Sequence, residues 1–181
     1  MDYQATDILK NLVELITLRN RVASEISSLI GRPAQIGHVG EFIASQVFNI
    51  NLEESASTPA IDGFFSEGSL RGQSVNIKWY ARRENVLDIT PEKLPNYYLV
   101  MTGPKTTVMT SKGQSRPWLI ESVFLFKANE LVRNLRKKRL KIGIATSVKQ
   151  KYWDDAEIYP EVKNKNLILS DEQRHMLSFF Q

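Results

Sequence analysis

Three charged residues stand alone in stretches otherwise free of charge. Glu41 is the only one between Arg32 and Glu53, Asp62 the only one between Glu54 and Glu67, and Lys78 the only one between Arg71 and Arg82. Charged residues make up 24% of the chain, so gaps of this length ask why each charge is kept. Each lies in a segment that reads as regular structure, where a charge removed from water without a partner is costly. The simplest arrangement brings the three together or gives them a shared ion. A hairpin centred near Ser69 would set Asp62 opposite Asn76 and Ile61 opposite Ile77. Side chains alternate along a strand, so Asn76 and Lys78 would share a face with Asp62. Two carboxylates and an amide oxygen are hard ligands for Mg²⁺, with Mn²⁺ as a substitute; Mg²⁺ takes octahedral oxygen coordination at ~2.0–2.1 Å and retains water. A lysine beside them can orient or deprotonate such a water, or stabilise charge developing on a phosphate. These are the parts of a metal-dependent phosphodiesterase. The same spacing equally suits a buried ion-pair network in which Lys78 bridges Glu41 and Asp62.

The elements that must position these residues follow from hydrophobic periodicity. Ile8, Leu12, Leu15, Ile16, Val22, Ile26, Leu29 and Ile30 recur at helical spacing and end at Gly31-Arg32-Pro33. This predicts one long amphipathic helix, or two broken near Thr17 to Asn20. Core packing is its simpler use and a dimer seam the sharper one; too few heptads are clean to specify a coiled coil. A second helix is expected over 36–50. There Gly37, His38, Ala44 and Ser45 surround Glu41 at i±3 and i±4, and let the helix deliver its carboxylate close to a sheet. Strands are expected over 60–65 and 74–80, joined by the turn-rich 66–72. Their apolar face would carry Ile61, Phe65, Val75, Ile77 and Trp79, which makes a one-residue slip costly. Further strands are expected over 97–101, 106–110, 119–126 and 140–146, and a basic helix over 127–138. The pattern is α/β (α+β), a central mixed sheet flanked by helices. We read one domain, with a helical segment over 1–34, a core over 35–150 and an extension over 151–181.

Composition bounds the function. The 181 residues carry 42% hydrophobic residues and a net charge of +4, ordinary for a globular domain. A pI near 9.3 suits a polyanionic partner. With no cysteine and only His38 and His175, thiol nucleophiles, Cys-ligated metals and multi-histidine sites are excluded. No apolar run nears the ~18–20 residues of a membrane span, and the start lacks the pattern of a signal peptide, so a cytoplasmic protein without a membrane partner is expected. Gly103-Pro104-Lys105-Thr106-Thr107 has the wrong spacing for a phosphate loop, and no nucleotide cofactor is expected. His38 reads as satisfied by local hydrogen bonds.

A helix glutamate, Ile61-Asp62-Gly63, and a hairpin into Val75-Asn76-Ile77-Lys78-Trp79 together resemble the PD-(D/E)XK nuclease superfamily, the restriction-endonuclease-like fold. Gly37-His38-Val39-Gly40-Glu41, with Ser55-Ala56-Ser57 downstream, is also similar to an uncharacterised group of prokaryotic proteins. The specific part spans roughly residues 35–89, and the later strands agree only in topology. The resemblance implies that Asp62 is the principal metal ligand and Lys78 the catalytic lysine. It further implies that Glu41 assists the metal directly or through water, and that Ile77 offers its backbone carbonyl. Asn76 stands where the family usually has an acid; it keeps an oxygen and loses a charge. Ile61 replaces the usual proline, with Pro59 nearby but shifted. The activity implied is Mg²⁺-dependent cleavage of DNA phosphodiesters leaving a 5′-phosphate and a 3′-hydroxyl. Cutting both strands implies a homodimer, for which the first helix is the natural interface.

Positive charge fits a nucleic-acid partner. Trp79, Arg82 and Arg83 end the second strand beside the site, and Arg136, Lys137, Lys138 and Arg139 form a denser run. Taken alone, that run is a solvated helix end whose cations suit the dipole. Two other functions use the same residues: a nuclease-fold DNA-binding subunit without cleavage, motivated by Asn76, and a structural or partner-binding protein with an internal charge network.

Overall fold

The computed structural model describes residues 3–53, 60–105 and 116–181. The expected strand over 106–110, together with Ser55-Ala56-Ser57, Pro59 and Lys112, lies outside the described residues. The chain divides into two compact units, Met1–Val39 and Gly40–Gln181, a boundary inside the second helix rather than at residue 34.

The first unit is dominated by helix α1, Tyr3–Ile30. It runs unbroken through Thr17 to Asn20, with the Thr17 hydroxyl donating back to the Val13 carbonyl at 2.8 Å. It stops at Gly31, whose φ of +68° is left-handed. Beyond it the Ala34 N–H donates to the Ser27 hydroxyl at 3.0 Å. The His38 ring pairs with the Pro33 carbonyl at 3.0 Å, the local satisfaction expected of it. Lys10 pairs with Asp7 and Arg21 with Glu25 along the polar side of α1. The apolar side is exposed, with Ile8 63%, Leu15 64% and Leu29 76% accessible, so the expected core packing is not what these side chains do.

Helix α2, Ile36–Phe48, crosses the boundary and leads into the second unit. There follow β1 (Ile50–Leu52), β2 (Gly63–Phe65), β3 (Ser74–Tyr80), β4 (Val86–Leu87), β5 (Tyr97–Thr102) and β6 (Ser122–Lys127). Helix α3 (Ala128–Lys137), β7 (Thr146–Ser147), α4 (Gln150–Ala156), β8 (Glu157–Tyr159) and α5 (Asp171–Ser178) complete it. The main sheet has the order β1-β2-β3-β5-β6-β8, with β3–β5 its one parallel pair; β4 and β7 form a separate ribbon. The fold is therefore mixed α/β, a largely antiparallel central sheet flanked by helices.

Strand alternation divides the core. One face presents Tyr98, Val100, Phe124 and Phe126 to Leu131, Val132 and Leu135 of α3 and to Trp153 of α4. Trp153 stands edge-on to both phenylalanine rings, with centroids at 4.9 and 5.1 Å. The other face holds Ile77, Trp79, Leu99 and Met101, and α2 is seated there through Gly40. A Cβ at Gly40 would lie 2.9 Å from the Cβ of Trp79.

Two expected strands are shorter than the pattern suggests. Ala60 has a φ of 65°, so extension begins only at Gly63, where a Cβ would strike the Asn51 carbonyl of β1. Residues 140–146 form a turn rather than a strand, because Arg139 and Ala145 are left-handed and the Thr146 hydroxyl folds back onto the Gly143 backbone. Ile144 in that turn is 91% exposed. Residues 151–181 are no extension: they supply β8 to the sheet and Trp153 to the core.

Candidate active site

β2 and β3 pair with Gly63 opposite Val75 and Phe64 opposite Ser74. The pairing ends there, one residue short of Asp62 and Asn76, which come next along the two segments. Asp62 remains tied to both neighbours after β2 has ended. Its N–H donates to the Val75 carbonyl, and its own carbonyl accepts from Glu53 N–H, both at 2.9 Å. Its carboxylate Oδ2 accepts the backbone N–H of Ile77 at 2.6 Å. A side chain thus substitutes for a strand partner, in a short hydrogen bond strengthened by the ionised acceptor. In an extended strand the N–H and C=O of one residue point to the same side. The Ile77 carbonyl is therefore turned toward Asp62, while the Ile77 side chain is buried in the core.

Asn76 is 4% exposed, and its Oδ1 has no hydrogen-bond partner among the described residues. A buried acceptor left unmet costs about 1–3 kcal/mol, so this oxygen fits a position meant to face a cation or a donor. The chemistry of the set agrees: Asp62, the Asn76 amide oxygen and the Ile77 carbonyl are all hard oxygens, with a single negative charge among them. Among the described residues no three His, Cys, Asp or Glu side chains converge as a metal-binding group. The oxygens available are thus mostly neutral ones.

Lys78 is half-buried and lies across from Val100 in β5, on the face shared by Asn76. Among the described residues it forms no ion pair. Glu41, also half-buried, follows the glycine by which α2 touches the sheet. That contact is with Trp79, so α2 lies on the face opposite Asn76 and Lys78. The structure therefore gathers Asp62, Asn76, Ile77 and Lys78 along one stretch of hairpin, with Glu41 on a helix of the other face.

Two tyrosines escaped the sequence reading and share the Lys78 face. Tyr98 stands across from Asn76 in β5, and burial pushes its phenol up to about 12. Burial, with Asp88 adjacent, raises Tyr80 as well; its hydroxyl donates to Asp88 Oδ2 at 3.2 Å and accepts from Asp88 N–H at 3.0 Å. Both are neutral hydrogen-bonding groups beside the site at physiological pH. Alternation along β3 places Tyr80 on this face, and the β3–β5 register places Tyr98 there.

The basic residues divide into two groups. Trp79 is 6% exposed, donates its indole N–H to the Leu119 carbonyl at 3.1 Å and lies 5.8 Å from the Trp118 ring. It is spent in packing and offers no face to a base. Arg83 is equally occupied, its side chain 12% exposed and its guanidinium 4.7 Å from the Phe124 ring centre and 5.9 Å from that of Trp153. Asp154 lies 3.6 Å from its Nη2. Arg82 is half-buried. By contrast Arg136, Lys137, Lys138 and Arg139 are exposed at the C-terminal end of α3, with the Lys138 Nζ 4.9 Å from the Tyr152 ring centre. Among the described residues no helix is long and apolar enough to cross a membrane. Comparison with known proteins returned no matching family model and no matching curated sequence, so these residues and their geometry carry the functional argument.

Proposed function

We propose that this chain is a divalent-metal-dependent deoxyribonuclease with a restriction-endonuclease-like core, acting on DNA in the cytoplasm. One observation carries the reading: the Asp62 carboxylate is held by the N–H of Ile77, the residue that follows Asn76, whose buried oxygen has no donor among the described residues. Asp62, Asn76 and the Ile77 carbonyl are the residues that would hold Mg²⁺ or Mn²⁺; Glu41, on the helix against the other face, is left out of that set. When bound, such an ion supplies Lewis acidity and a more acidic water.

The chain's own residues would do the rest. Asp62, fixed by its backbone bond, orients the reacting group. Lys78, not neutralised by an ion pair among the described residues, holds negative charge on the scissile phosphate or carries a proton for the attacking water. Arg136, Lys137, Lys138 and Arg139 contact flanking phosphates, with Arg82 adding charge nearer β3. The absence of a Lys78 ion pair also counts against the alternative in which Lys78 bridges the two carboxylates as a structural network.

Cleavage of plasmid DNA in Mg²⁺ and in Mn²⁺, with Asp62→Asn and Lys78→Ala beside the unaltered chain, tests this. Asp62→Asn keeps an oxygen for Ile77 N–H, so loss of cutting by at least ~100-fold without loss of folding supports the assignment. Cutting that persists in both variants would overturn it. Asn76 favours one second reading, a DNA-binding subunit that does not cut, because a neutral amide holds a divalent ion less firmly than a carboxylate. Salt-sensitive retention of DNA with no cutting in either metal would select that reading. No retention even at low ionic strength would leave a structural protein.

A further inference from the structure

Among the described residues the apolar face of α1 is largely exposed, and its pattern says what would cover it. Ile8, Leu12, Leu15, Val22, Ile26 and Leu29 fall at alternating steps of four and three along a straight seam, interrupted once, at Arg19. That is the a/d spacing of paired helices. The ion-paired Asp7, Lys10, Arg21 and Glu25 lie along one flank outside the seam, whose own positions hold no acid. We infer that α1 is the interface between two copies of this chain, paired antiparallel through this seam.

Area favours a second copy. About eight large aliphatic side chains on and beside the seam are roughly half exposed, offering ~100 Å² apiece, or about 1,600 Å² for two copies, which is the size of a standard stable interface. The 28-residue helix is ~42 Å long, enough for the whole seam to engage. Arg19 sets the direction. A parallel pair would place Arg19 against its own copy, two like charges in one layer. An antiparallel pair sets Ile8 against Ile26, Leu12 against Val22 and Leu15 against Arg19, so each guanidinium meets a leucine and can extend past it to water. The self-complementary pattern needs no second kind of partner, and no part of this argument rests on the nuclease reading.

Sedimentation of the full chain between about 1 and 100 μM, a range bracketing the affinity of moderate interfaces, should give twice the chain mass. Leu12→Glu with Leu15→Glu should give the single-chain mass, with an unchanged thermal midpoint for the second unit. Because the chain has no cysteine, orientation is read separately. Ile8→Cys mixed with Ile26→Cys should form a mixed disulfide between the two variants, while Ile8→Cys alone should not crosslink. A single-chain mass throughout, a mass above two copies, or efficient crosslinking of Ile8→Cys to itself would each overturn the proposal. None of these readouts depends on cleavage of DNA.

Discussion

Replacing Asn76 by aspartate asks directly whether its unpartnered oxygen faces a cation position. Residues 62 and 76 lie one step beyond the paired Gly63 and Val75, and the Asp62 carboxylate reaches the N–H of Ile77 next to Asn76, so the two side chains stand about 5 Å apart, the spacing of cross-strand neighbours. Two carboxylates about 5 Å apart at an effective dielectric of ~20 repel by about 3 kcal/mol. At ~2–4 °C per kcal/mol for a chain of this length, Asn76→Asp should melt about 6–12 °C lower in chelator. A divalent ion at ~100 times its dissociation constant returns nearly 3 kcal/mol, enough to restore most of that loss. The unaltered chain, with one fewer negative charge at the site, should respond less to the same ion. A second signature follows from sign. Paired carboxylates raise the folded-state pKa of one of them, so the folded chain holds the extra proton and the variant in chelator should lose stability as pH rises from about 5 to 8. Thermal melts in chelator and in Mg²⁺ at two pH values measure both. Equal midpoints for the two proteins in chelator, or a deficit that Mg²⁺ leaves untouched, would refute the placement of Asn76 at an ion site.

Four further outcomes follow from packing, exposed charge and burial. Arg83→Ala should lower stability by about 2 kcal/mol, because a desolvated guanidinium between two rings is lost. Arg136→Ala or Lys137→Ala should leave melting within about 0.5 kcal/mol and instead reduce the salt slope of DNA binding by about one each. Gly40→Ala forces a methyl to 2.9 Å from Trp79 Cβ and should cost about 1–3 kcal/mol in a denaturant titration; an unchanged midpoint would mean that α2 is not seated as described. Tyr98 is raised by burial from its ordinary 10 to about 12. The unfolded chain then loses that proton first, so stability is intact below pH 10 and falls between about 10 and 12 by roughly 1 kcal/mol per pH unit. Tyr98→Phe should flatten that alkaline slope, leaving the part due to Tyr80.

How much of this was legible in the sequence depends on how local the cause is. β3 could be read from its alternation alone: Val75, Ile77 and Trp79 against Ser74, Asn76 and Lys78 mark out the strand and its two faces. That same alternation assigns Trp79 to packing, which the run of aromatic and basic residues after Lys78 obscured by suggesting a nucleic-acid surface. Arg83 was hidden for a different reason. Its partners, Phe124 and Trp153, are remote in sequence, so its burial belongs to the assembled core. β8 escaped because Glu157 reads as a surface residue, whereas in the fold it is buried and held by Lys163 at 2.8 Å.

The bond from Asp62 to Ile77 N–H had no sequence signal either, since it depends on where a ladder stops. Left-handed Ala60 keeps the chain before Gly63 out of the extended ladder, so β2 is short. Only then is Ile77 left to be met by a side chain, with its carbonyl facing the same gap. The residue types that invite metal chemistry can be found by reading along the chain. The interruption that lets them face one another is a property of three strands, and it is the Asp62 backbone bond, more than the isolated charges, that distinguishes an assembled site from scattered polar residues.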